Sequence, residues 1–231
     1  MPSRSARSHR VTTPDRPFTQ EMVLVHRVFR SQSVLLPQLV RAVPAGDRGR
    51  AEEVAARVTA YTANLHHHHT AEDDLIWPLL TERARLGADL VRLMTEQHGT
   101  IDETFAQIEL ALADWSRSAA PEARDRLALA LEAHHRALVA HLDDEEEHVL
   151  PLVREHLTVE EWEAVGAHAM SLIPPAQRLL GLCAVLDHAS EEERRHFLDK
   201  LPLAARVVLR LVGRRRYARE RERIRSLLAT G

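Results

Sequence analysis

One eleven-residue pattern occurs twice in this chain, and it limits the possible folds more than any other feature. Residues 68–78 read HHTAEDDLIWP and residues 141–151 read HLDDEEEHVLP. In each copy a His precedes a Glu by four residues: His68 and Glu72, then His141 and Glu145. A second acid follows directly (Asp73, Glu146), and a proline stands six residues after the Glu (Pro78, Pro151). On an α-helix, positions i and i+4 lie one above the other, so each His and Glu reach a common point. An imidazole nitrogen beside a carboxylate oxygen suits iron, manganese or zinc. Two such helices face to face supply two nitrogens and two carboxylates able to bridge, the skeleton of a dinuclear metal site in a helix bundle.

The rest of the chain agrees with an all-α fold. Ala, Leu, Arg and Glu dominate, aromatics are 4%, and only eight of 231 residues are glycine. The length allows one large domain, or one with an appendage, and a core that needs no staples. The single cysteine, Cys183, excludes an intrachain disulfide and is expected as a small buried hydrophobe. A net charge of −3 gives no general drive toward nucleic acid. No apolar run approaches the roughly 18–20 residues of a membrane span. Arg4, Arg7 and Arg10 lack the apolar segment that would follow them in a secretory signal. The expectation is a cytoplasmic protein.

Residues 1–16 carry no periodic apolar pattern and are expected to be disordered. A first helix is expected over about 18–43, with Met22, Val25, Phe29 and Leu36 at helical spacing and a kink or break at Pro37. Asp47 is a candidate N-cap for a second helix over about 48–82, bent near its end by Pro78. A break around Gly87 leads to a third helix, about 88–116. Pro121 opens a fourth, about 122–156, and Thr158 with Glu161 reads as a capping box for a short fifth helix to about Met170. After Pro174-Pro175 come helical segments 176–188 and 191–228, interrupted near Pro202 and Gly213. The resulting division is 1–16 unstructured, 17–170 bundle, and 171–231 a helical extension with a basic end. That end reads as a solvated face, with neither nucleic-acid nor membrane binding expected.

The repeat is larger than the motif. His26 precedes His68 by 42 residues and His98 precedes His141 by 43, so each half is a helix with one inward His followed by a helix with His-xxx-Glu. Two such hairpins make an up-down-up-down four-helix bundle. In this order and spacing, His26, His68/Glu72, His98 and His141/Glu145 resemble the hemerythrin-like, or HHE cation-binding, domain family. The resemblance covers about residues 18–156. It implies those six residues as ligands of two non-haem iron ions, bridged by the glutamates and an oxo or hydroxo group. The ligand implied is a small molecule: peroxide, nitric oxide or dioxygen. Catalase-like turnover is one implied activity; an iron or oxygen sensor without turnover is the alternative.

The chain departs from the oxygen-carrying members. They have a second His four residues after the third-helix His, where this chain has Asp102, and an Asp where it has Glu145. One iron is then short of a nitrogen, the gap falling to Asp102, another residue or water, which favours peroxide or nitric oxide over oxygen carriage. His134 and Tyr61 stand seven residues before His141 and His68 and are further candidates. Within the run His66–His69, His68 is favoured by its partner Glu72; His69 pairs in spacing with Asp73, and His66 and His67 are expected in solvent. A ferritin-like reading from Glu132-xx-His135 and Glu145-xx-His148 fails because both pairs fall on one helix.

Overall fold

In the computed structural model, residues 16–84 and 87–229 are described, and among them there are helices and no strands. All but Arg16 of the segment expected to be unstructured lies outside the described residues. The chain forms α1 (Gln20–Arg41), α2 (Arg48–Leu75), a short α3 (Trp77–Arg83), α4 (Gly87–Ser118) and α5 (Pro121–Asp144). Helix α1 packs against α2 and α5, and α4 packs against the same two, closing a four-sided bundle. The carboxylate of Asp47 accepts from the Arg50 amide at 3.1 Å, and Pro121 takes the first position of α5, where a missing N–H costs nothing.

Three prolines fall within or just beyond the bundle's helical segments, with different outcomes. The expected break at Pro37 does not occur: α1 runs through it to Arg41. The proline is buried among Leu36, Leu39 and Val40, and their packing outweighs the one backbone bond it removes. Before Pro78 the helix is interrupted at Ile76, so the expected second helix is two. Before Pro151 the chain widens into a π turn, Glu145–Val149, in which the Leu150 amide donates to the Glu145 carbonyl. Pro151 has no N–H for the Glu147 carbonyl and its ring crowds that oxygen, which favours a wider turn there. Helix α6 (Leu150–His156) follows, and then α7 (Val159–Leu172), opened by the expected Thr158–Glu161 capping box.

The interior is divided. One apolar cluster contains Phe29, Leu65, Ile101, Leu138 and Trp115; another contains Met22, Ile76, Met94, Val149 and Trp162. Each such side chain contributes roughly 2 kcal/mol by leaving water. Between the clusters, every helix of the bundle turns polar: His26 on α1, His68, His69 and Glu72 on α2, His98 on α4, and His141 on α5, with Glu145 just after it. All of these are buried.

The remaining helices are α8 (Pro175–His188), α9 (Glu191–Lys200), α10 (Leu203–Val208) and α11 (Arg214–Leu228), with a second π turn at Leu209–Gly213. The expected break at Pro202 is present. At Gly213 the chain stays helical, and the glycine serves close packing: a Cβ there would meet Cys183 Sγ at 3.0 Å and Leu179 Cδ1 at 3.2 Å. The basic end is tied to the bundle. Arg223 pairs with Glu53 at 2.5 Å, Glu220 pairs with Arg57, and Leu227 joins the apolar cluster of Phe29 and Leu65. No helix among the described residues is long and apolar enough to cross a membrane.

Candidate metal centre

The polar layer resolves into two groups of four. His26, His68, Glu72 and Glu145 present ligand atoms within 4.8 Å of one another, and so do His69, Glu72, His98 and His141. Glu72 belongs to both. Its Oε1 lies 3.1 Å from His68 Nε2 and its Oε2 lies 3.5 Å from His98 Nε2, so its two oxygens face opposite groups. Glu145 Oε2 lies 3.3 Å from His26 Nε2 and 3.8 Å from His141 Nε2, a second link between them.

Three imidazoles are held from outside the layer. His26 Nδ1 donates to Glu146 at 2.9 Å, His98 Nδ1 to Asp73 at 2.8 Å, and His141 Nδ1 to Gln97 Oε1 at 3.1 Å. These bonds turn each Nε2 inward, the arrangement that orients metal-bound histidines; Nε2 of His98 and of His141 meets no hydrogen-bond partner among the described residues, while Nε2 of His26 lies 3.2 Å from Nε2 of His68. The second acid of each motif thereby acquires a role. Glu72 and Glu145 enter the layer, while Asp73 and Glu146, one residue on, reach the single His of a neighbouring helix. Arg30 also binds Glu146 at 2.5 Å, and the Trp77 indole donates to Asp73 at 2.6 Å.

Polar groups this deep are ordinarily hydrogen-bonded. Here both oxygens of Glu72, both of Glu145, Nε2 of His98 and of His141, and both ring nitrogens of His69 are buried with no hydrogen-bond partner among the described residues. A cation satisfies imidazole lone pairs and carboxylates together. The donor set, three or two nitrogens with one or two carboxylates, is a transition-metal set rather than the oxygen-only set of calcium or magnesium.

The electrostatics without a cation carry the same message. Burial lifts the Glu72 carboxyl well above its usual range, and the facing Glu145 and Asp73 add to the lift. Burial acts the same way on Glu145, but His26, His141 and His68 outweigh it and hold that carboxyl at about 2. His26 is raised because Glu145 and Glu146 overcome the opposing effect of burial. Burial, then the neighbouring His26, lowers His68 to about 3; burial, partly opposed by Glu145, lowers His141 to about 4; burial, then the neighbouring His98, also holds His69 well below the usual histidine range. His68, His69 and His141 are thereby held neutral, the metal-binding form, whereas His26 has to give up a proton to ligate.

All six residues marked by the repeat meet in this layer. The three further candidates do not. Asp102 does not fill the third-helix gap: its side chain is 56% exposed and faces His66 Nδ1 at 3.7 Å. Tyr61 and His134 are buried but bond to each other, phenol to Nε2 at 2.9 Å, and His134 Nδ1 donates to Thr104 at 2.7 Å. The nitrogen near His98 comes instead from His69, its ring stacked on that of His98 with centroids 4.2 Å apart. His69 stands at i−3 from Glu72 as His68 stands at i−4, so both neighbour the same carboxylate on one helix face. That spacing is visible in the sequence; testing His69 against Asp73 rather than Glu72 conceals it. The equivalent position in the second motif is Leu142, fully buried and apolar, so the two halves are not symmetric.

The sequence model of one family, described as the Hemerythrin HHE cation binding domain, matches residues 18–153, more than half of the chain and the whole of the polar layer. Comparison with curated proteins and with solved structures returned no match.

Proposed function

This chain belongs to the hemerythrin HHE cation-binding domain family, and from that premise we propose that it is a non-haem di-iron protein that binds or turns over a small oxidant. The observation that carries the reading is Glu72, a wholly buried carboxylate shared by two adjacent ligand groups and without a hydrogen-bond partner among the described residues. His26, His68, Glu72 and Glu145 would hold one iron; His69, Glu72, His98 and His141 would hold the other, with Glu72 and Glu145 bridging. Iron in such a pair supplies reversible one-electron chemistry and a Lewis acid for a diatomic molecule or peroxide.

The protein's own residues do the remainder. Asp73, Glu146 and Gln97 fix three imidazoles in the tautomer that ligates. With both carboxylates bridging, one group offers four donors and the other five, fewer than a six-coordinate ion takes, so room is left for a small ligand. Phe29, packed on the His68 ring at 5.2 Å, and Trp77, at 5.8 Å from His98, keep bulk water from the layer. His69 supplies the nitrogen that Asp102 does not, so the coordination gap that set oxygen carriage apart is filled, and dioxygen stands beside peroxide and nitric oxide as a ligand of this layer.

Elemental analysis with the ultraviolet–visible spectrum, on protein purified without chelator, tests the proposal. The expected result is about two irons per chain, two carboxylate-linked groups each holding one, with ferric charge-transfer absorption. Zinc alone with a featureless spectrum would overturn it. Peroxide consumption by the same sample marks an enzyme; a stable nitric oxide adduct without consumption marks a binder.

A further inference from the structure

Helices α8 to α11 border an open cleft of 810 Å³ lined by none of the residues of the His/Glu layer. Its volume lies within the range of small-molecule sites. Cys183, Leu186, Leu198 and Leu209 give it an apolar floor, and its walls carry seven arginines against three acids.

The three acids are already engaged. Asp199 pairs with Arg206 at 3.5 Å, Asp187 with Arg221 at 3.2 Å, and Glu222 with Arg225 at 2.9 Å. Four arginines remain without a carboxylate among the described residues: Arg194, Arg195, Arg210 and Arg214. Arg194 is anchored on the Leu186 carbonyl at 2.6 Å and Arg195 on the Glu191 carbonyl at 3.3 Å. A carbonyl fixes a guanidinium in place without neutralising it. Arg210 and Arg214 bind no group among the described residues, and they follow Arg206 at successive four-residue steps along one wall.

Unneutralised guanidinium groups gathered round a concavity repel one another and focus a positive potential into it. An anion relieves that repulsion, and the planar donor fork of arginine matches phosphate oxygens in pairs. A bare inorganic anion would leave most of the volume and the leucine floor unused. The Tyr217 ring, its hydroxyl donating to Asp187 at 3.3 Å, adds a flat wall beside the floor.

We propose that this cleft binds an organic phosphate of nucleotide size, its phosphates on Arg210, Arg214 and Arg194 and its organic part on the Leu186, Leu198 and Leu209 floor. The site is separate from the metal layer and stands whether or not that layer holds iron.

Isothermal titration of the full chain with ATP, inorganic phosphate and adenosine, at fixed ionic strength, tests it. The variant is Arg210→Gln/Arg214→Gln; both residues are exposed and make no hydrogen bond or ion pair among the described residues, so its melting temperature should stay close to that of the wild type. ATP is expected to bind the wild type, more tightly than inorganic phosphate, with adenosine silent. The variant should bind on the order of a hundredfold more weakly, two charge-assisted contacts being lost. Any heat from chelation at the metal layer is the same in both proteins and is removed by the comparison. Equal isotherms for wild type and variant overturn the proposal. So does inorganic phosphate binding as tightly as ATP, and so does adenosine doing the same.

Discussion

His134 lies in the bundle with no exposed surface, and its protonation gives a direct reading of how dry that interior is. Thr104 donates its hydroxyl to the Ile101 carbonyl at 2.6 Å, so its oxygen accepts from His134 Nδ1, and Nε2 then accepts from the Tyr61 phenol. The neutral ring is thus fully bonded, and a second proton has no acceptor of its own. Burial, and secondarily His135, lowers the folded-state value to about 4 from the ordinary 6.5 of a histidine. Between those values the unfolded chain binds the proton and the folded chain does not. Stability therefore rises with pH across this window and is lost as pH falls from 6.5 toward 4. Integrating between pH 7 and pH 5 gives a loss of about 2 kcal/mol from this residue alone. The perturbation is His134→Gln, whose amide can accept from Tyr61 and donate to Thr104 but does not titrate. Urea unfolding of both proteins at pH 7 and pH 5 provides the assay, and effects of the ligand histidines cancel in the double difference. Wild type should lose about 2 kcal/mol more than the variant. Equal losses would mean that His134 is protonated, or reached by water, in the folded state.

Other predictions concern the layer itself. Glu72→Gln removes the carboxylate common to both groups and should lower bound metal from two ions per chain to one or none, read by elemental analysis; full occupancy would deny its bridging position. Asp73→Asn and Glu146→Gln each weaken the anchor of one imidazole and should reduce metal affinity about 10–100-fold in a chelator competition. His69→Phe should remove metal from the His98 side while leaving the His26 side occupied, and Asp102→Ala should change neither. Tyr61→Phe strips His134 of a buried partner and should cost about 1–3 kcal/mol in denaturation, without altering metal content.

The parts of this architecture legible in the sequence are those in which neighbours along a helix decide the outcome. The pairs His68/Glu72 and His141/Glu145 needed only the α-helical repeat, and the matching spacings to His26 and His98 gave the bundle its order. The capping box at Thr158 and the N-cap at Asp47 are local chemistry of the same kind. Pro37 was misjudged because the cost of a missing N–H is visible locally, whereas the burial of Leu36, Leu39 and Val40 against other helices is not. The placement of Asp102 failed for a related reason: four residues past His98 the helix has turned about 40° beyond a full turn, and the buried line of α4 continues instead through Ile101, Thr104 and Ile108, leaving Asp102 exposed beside His66.

The two prolines that follow the motif glutamates connect these levels. Pro78 and Pro151 stand at the same distance from Glu72 and Glu145, and in both helices the regular path fails between the Glu and the Pro, by interruption at Ile76 and by a π turn over Glu145–Val149. The backbone disorder in hydrogen bonding is therefore placed just beyond the carboxylates, where α2 and α5 leave the His/Glu layer and enter the cluster of Ile76, Val149 and Trp162. A straight helix would carry the next inward positions at strict 3.6-residue intervals. The extra residue in the π turn re-phases α6, so that Val149, Leu150 and Val153 all face the core after a polar turn. Metal ligands and apolar packing ask for different phases on one helix, and a proline at this spacing reconciles them. The sequence shows the repeated proline; which of two distortions it produces depends on the helices packed around it.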